Sequence, residues 1–110
     1  MANGSVGLIG HRFHWWARRL EKYGRFNVGW VSFRAGQLDK AGLFLEQAGR
    51  LDPADAEILS HLGDLYAKRS EPERAVAAYR KALNQKPEER LRRRLEESLA
   101  GIESRRAAGR

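Results

Sequence analysis

One interval organises this chain. At an offset of 34 residues, Gly29 aligns with Gly63, Ala41 with Ala75, Ala48 with Ala82 and Pro53 with Pro87. Four identities are few by count, but their positions carry meaning. The small residues fall where two antiparallel helices must approach closely, and the prolines fall where each pair would end. An interval of this length fits a helix–turn–helix unit. Such a unit has more apolar surface than it can bury alone, so units must stack and the outermost faces must be made polar.

The apolar spacing divides the chain in the same way. Leu38, Ala41, Leu45 and Ala48 follow one another at intervals of three and four, the face of one helix over Leu38–Leu51. Asp52-Pro53 ends it, because the residue before proline avoids the helical region. Ile58, Leu59, Leu62, Leu65 and Tyr66 form the next stripe. Pro72, with Glu71 and Glu73 beside it, suits the first turn of a following helix. Ala75, Val76, Tyr79, Ala82 and Leu83 make the fourth stripe, closed before Pro87. Leu91, Leu95, Leu99 and Ile102 make a last one, opposite a face of Glu88, Glu89, Arg92, Arg93, Glu96 and Glu97. Before Leu38, Arg25–Ala35 reads as a helix with Gly36 as its stop. Residues 8–22 read as a separate amphipathic helix, divided from it at Gly24. Residues 1–7 and 104–110 read as frayed. No alternating run signals a strand.

The second unit, residues 56–89, carries Leu62-Gly63, Tyr66, Ala75, Tyr79, Ala82 and Pro87 at the spacing of a known signature, and it resembles the tetratricopeptide repeat family. The first unit, residues 22–55, keeps Gly29, Gly36, Ala41, Leu45, Ala48 and Pro53. It has Arg25 where the family often has Trp and Ser32 where it often has Tyr. The resemblance implies an all-α, antiparallel helix-pair solenoid with a right-handed superhelical path. It would comprise a tail and docking helix (1–21), two repeats (22–55 and 56–89) and a capping helix with its tail (90–110). Two repeats are fewer than the usual three, so either both flanking helices close the stack or the chain stacks on a partner.

In this family the first helix of each pair lines a concave groove that holds ligands. Carried over, the resemblance places Tyr23, Phe26, Trp30, Phe33 and Arg34 there from the first unit, and Glu57, Ser60, Asp64, Ala67 and Lys68 from the second. Aromatic residues on an open groove suit an apolar peptide, with Arg34 and Lys68 placed to pair a carboxylate. The paired Lys/Asn set with which some members grip a C-terminal carboxylate is incomplete here. The aromatics equally suit a core beneath the N-terminal helix. Eight of the ten aromatic residues lie between Phe13 and Phe44, which marks that half as a heavy core or a contact surface.

The net charge of +7 suggests a polyanion partner until it is divided. Residues 1–21 contribute +2, 22–55 +1, 56–87 +2 and 88–110 +2, whereas nucleic-acid domains concentrate charge on one face. The sequence therefore argues against nucleic acid. Residues 1–20 contain no acid but hold Arg12, Arg18, Arg19, Trp15 and Trp16, a pattern that serves a docking helix or a weaker membrane contact. His11 and His14 share a helix face but make a poor metal site, and His61 reads as a partly exposed packing residue. The absence of cysteine removes thiol chemistry and cysteine-ligated metals. No phosphate loop, nucleophile elbow or zinc-protease motif is present, so neither enzyme activity nor a cofactor is expected. No secretory core is legible in residues 1–20, which makes cytoplasm the default expectation. The reading is a non-catalytic interaction module for a protein or peptide, with self-association or peripheral membrane attachment as alternatives.

Overall fold

The computed structural model describes the backbone of residues 2–109 and the side chains of residues 15–109. The side chains of His11, Arg12, Phe13 and His14, to which the sequence drew attention, lie outside the described residues. Five helices follow in order: α1 (Ala2–Arg34), α2 (Leu38–Leu51), α3 (Ala56–Lys68), α4 (Pro72–Asn84) and α5 (Glu89–Ala108). The protein is all-α: α1 pairs with α2 and α3 with α4 as antiparallel hairpins, α2 packs on α3, and α5 packs on α4.

The expected break at Gly24 does not occur, so the division at residues 21 and 22 falls inside one helix. Glycine in a helix interior costs only about 1 kcal/mol relative to alanine. Here Glu21 and Arg25 clasp one another across it, with Arg25 Nε and Nη2 donating to Glu21 Oε1 at 3.2 and 3.1 Å. At the other end of the chain, residues 104–108 are helical rather than frayed. Arg106 Nη2 donates to Glu73 Oε1 at 2.7 Å and ties the last turn to α4.

Gly36 ends α1 as expected. It adopts φ +79°, the Gly36 N–H reaches Phe33 O at 3.0 Å, and the Gln37 N–H reaches Ser32 O at 2.9 Å, which together form a Schellman turn. The same turn recurs 34 residues later at the end of α3. There the Ser70 N–H bonds Ala67 O at 3.1 Å and the Glu71 N–H bonds Tyr66 O at 2.8 Å, but the left-handed position (φ 62°) is held by Ser70. A side chain costs about 1–2 kcal/mol in that conformation. Ser70→Gly is therefore expected to stabilise the protein by about 1 kcal/mol, read as a higher midpoint of thermal unfolding. A lower midpoint would show that the Ser70 side chain contributes more than its backbone strain costs.

The remaining ends are set by capping groups. Asp55 accepts from the Glu57 and Ile58 N–H groups at 3.0 and 3.2 Å and starts α3. Glu88 does the same for α5 through the Arg90 and Leu91 N–H groups at 3.2 and 2.9 Å. Pro72 occupies the first turn of α4. Lys22 Nζ reaches across to Asp52 Oδ2 (3.0 Å) and Asp55 Oδ2 (3.2 Å), joining α1 to the α2–α3 connection. Burial alone would lower the Lys22 pKa, but these two hydrogen bonds outweigh it and hold the ammonium above its ordinary value.

The 34-residue interval is visible in the packing. A Cβ on Gly29 would lie 2.7 Å from Leu45 Cγ, and one on Gly63 would overlap the Tyr79 ring. Leu45 and Tyr79 are themselves 34 apart, so both hairpins cross at the same pair of positions. Around these crossings a single core runs through Ala41, Ala48, Leu62, Leu65, Ala75, Ala82, Leu91, Leu95 and Ile102. The outer side of α5 is solvated and laced by ion pairs such as Arg93–Glu89 (2.8 Å) and Arg92–Glu96 (2.9 Å).

Candidate interaction surface

Where α1 runs beside α3, Phe26 and Trp30 of α1 meet His61, and Phe33 stacks on Trp30. Phe26 meets the imidazole edge-on with centroids 5.0 Å apart, and Trp30 does so at 4.3 Å. Trp30 and Phe33 stack with their rings 13° from parallel and centroids 5.9 Å apart. Phe26, Trp30 and Phe33 are all half-buried, and Phe26 and Phe33 pack against the core. Such rings attract one another through quadrupoles as well as through apolar burial. Arg34 lies over Trp30 with its guanidinium carbon 6.0 Å from the ring centroid, a cation–π contact that places charge at the end of the cluster.

His61 departs from the sequence reading. It is 7% exposed rather than partly exposed. Its Nδ1 lies 2.7 Å from the Glu57 carbonyl oxygen, which can only accept, so Nδ1 carries the proton and donates. The imidazole is thus the floor on which Phe26 and Trp30 rest. The sequence signal that could have found it is its place on α3 between Ile58 and Leu65, one position along the stripe from Leu62.

The other expected groove residues divide. Tyr23 stands apart from the cluster, 45% exposed, with Lys22 Nζ 4.6 Å from its ring centroid. Lys68 is exposed on the last turn of α3. Asp64 accepts from the Tyr79 hydroxyl at 2.6 Å, so its carboxylate is committed to α4. Burial, followed by that bond to Asp64, drives the Tyr79 phenol well above its ordinary range. Ser60 is buried, and Arg94 of α5 donates to its Oγ at 3.2 Å while approaching Glu57 at 3.4 Å. Through Arg94, α5 therefore reaches over to engage polar atoms of α3.

Phe26 and Phe33 pack partly against the core from α1 itself. From Trp15 to Arg34 the helix is continuous, so no part of that stretch folds back over Phe26, Trp30 and Phe33. Its forward end instead displays Trp15, Trp16 and Leu20 to solvent. Signature residues sit at the α3–α4 crossing, with Gly63 beneath Tyr79 and Ala75 and Ala82 fully buried. Over residues 32–99 the sequence matches the family described as Tetratricopeptide repeat.

The chain belongs to the tetratricopeptide repeat family. Tetratricopeptide repeats generally mediate protein–protein interaction and are typically non-catalytic. No curated protein matches this sequence. Among the described residues, no group of three or more His, Cys, Asp or Glu side chains is arranged to hold a metal. Among the described residues, no helix is long and apolar enough to cross a membrane.

Proposed function

We propose that this tetratricopeptide protein is a non-catalytic interaction module that holds a peptide or helix of a protein partner against the α1–α3 face. Phe26, Trp30 and Phe33 supply the apolar contact. Arg34 and Lys68 pair with carboxylates at its edge, Asp64 sets polarity where Tyr79 leaves it accessible, and Tyr23 extends the surface along α1. The observation that carries this reading is the half-buried aromatic cluster on His61, assembled from two helices. Interfaces draw most of their energy from a few such aromatic and arginine side chains.

The test is an affinity capture followed by mass spectrometry, with wild-type protein beside a Trp30→Ala/Phe33→Ala variant. Partners held by the wild type are expected to be lost, while helicity and the cooperative melt persist. Loss of helicity in the double variant would make these residues core. Retention of partners by a folded double variant would place binding elsewhere. Sedimentation of the same proteins across concentration and with liposomes tests the two alternatives. A concentration-dependent dimer would favour self-association through the aromatic half, and co-sedimentation lost in Trp15→Ala/Trp16→Ala would favour peripheral membrane attachment.

A further inference from the structure

The two hairpins are built alike, so each position of the first can be compared with its counterpart 34 residues on. In the second hairpin, Leu62 and Leu65 of α3 are 7% and 0% exposed. Their counterparts on α1, Val28 and Val31, are 39% and 66% exposed. The difference has one cause: α2 covers Leu62 and Leu65, and no described element covers Val28 and Val31.

How α2 does this is specific. It lays two glycines against the leucines. A Cβ on Gly42 would lie 3.4 Å from Leu65 Cδ2, and one on Gly49 3.2 Å from Leu62 Cδ1. Between them Glu46 receives the Tyr66 hydroxyl at 3.2 Å and the Arg74 guanidinium at 3.7 Å. The counterparts of that polar pair are Ser32 and Lys40. Serine in place of tyrosine leaves a depression of about 320 Å³ whose lining includes Val28, Val31, Ser32, Ala35 and Lys40. These residues correspond to Leu62, Leu65, Tyr66, Arg69 and Arg74, the set that holds α2.

We infer that this end face of α1 is a second docking site, for a partner helix of the α2 kind. The occupant has small residues seven apart, over Val31 and Val28, and a carboxylate four residues after the first of them, facing Lys40. Between the small residues it carries a side chain bulky enough to fill the space that Ser32 leaves. Lys40 is the charged residue on the lining of the depression, and it favours a helix that brings a carboxylate to it. The α5 helix of a second copy does not fit, because its outer side is covered by Arg–Glu pairs and presents no apolar stripe.

The probe is a stapled helical peptide with the sequence of residues 38–51, carrying Gly42, Glu46 and Gly49, with Leu45→Gln so that it lacks the side chain that packs on Gly29. Titrated into the full chain, it is expected to shift the methyl resonances of Val28 and Val31. Val31→Glu, on a side chain already two-thirds exposed, should leave the fold intact and weaken binding at least about tenfold, because it would bury an unpaired charge. Glu46→Gln in the peptide should weaken it up to about fivefold, the scale of one exposed ion pair. Trp30→Ala/Phe33→Ala should leave the peptide's affinity unchanged, which separates this site from the aromatic surface. Equal binding to the Val31→Glu protein, shifts confined to Phe26 and Trp30, or no shift at all would overturn the proposal. A wild-type dimer abolished by Val31→Glu would overturn it too, by showing that a second copy takes the face.

Discussion

Gly63→Ala is expected to destabilise this protein by about 3 kcal/mol, near the upper end of what overpacking a core costs. The added methyl would enter the Tyr79 ring, and that ring has nowhere to go. Its hydroxyl is anchored to Asp64 at 2.6 Å, and the side chain is buried where α3 crosses α4. The equivalent change at Gly29 should destabilise as well, because a Cβ there would lie 2.7 Å from Cγ and 3.1 Å from the backbone nitrogen of the fully buried Leu45. Gly24→Ala should have the opposite sign. A Cβ there meets nothing within 4 Å, and alanine gains up to about 1 kcal/mol over glycine inside a helix. Thermal melts of the three variants followed by circular dichroism check the order. For a domain of this size, roughly 4–8 °C accompanies each kcal/mol. An unchanged melt for Gly63→Ala would mean that the α3–α4 crossing is looser than its geometry.

Leu95→Ala is the second large effect expected, at about 2–5 kcal/mol. Leu95 is fully buried and, with Leu91 and Ile102, closes the core beyond α4. Nothing else near it can fill the space, since its neighbours Arg92, Arg93, Glu96 and Glu97 are all exposed. Arg93→Ala, two positions away, removes only an exposed ion pair and should move stability by less than about 0.5 kcal/mol. Denaturant titration of the pair separates a cap that holds by apolar burial from one that holds by charge. Similar midpoints for the two variants would count against apolar burial. Because α5 also carries Arg94 to Ser60 and Glu57, loosening it should release those α3 groups as well.

The helices were legible because their signals are local. Gly36, Pro53 and Pro72 each act within a turn of themselves, and α2 begins and ends where Leu38 and Leu51 placed it. Gly24 misled for the same reason. A glycine with Arg on one side of the sequence resembles a stop, but what decides is whether the helix has a cheap alternative, and a Glu21–Arg25 clasp plus open space gave it none. The aromatic surface was half legible. Spacing put Phe26, Trp30 and Phe33 on one side of α1, yet His61 beneath them belongs to another helix, and its burial depends on how two hairpins lie together. The same holds for Asp64 and Ser60. Each was placed on α3 by the resemblance, while the partners that engage them, Tyr79 and Arg94, come from α4 and α5. Contacts between units depend on stacking geometry that no single helix encodes.

The nearest-neighbour arrangement of the helices also governs how the chain reaches this state. Each packs on the next in sequence, and the pairings that skip a helix, α1 with α3 and the Arg94 contacts of α5 with α3, are slight beside them. Connections such as Ala35–Gln37 and Arg69–Glu71 are only a few residues long. Forming each hairpin therefore closes a short loop, and adding the next unit costs no distant search. Chains dominated by such local pairings acquire their structure on a timescale of roughly microseconds to milliseconds. The first hairpin to form can serve as a template for the next. The central α3, which alone meets α1, α2 and α4, is the element through which both hairpins become one cooperative body.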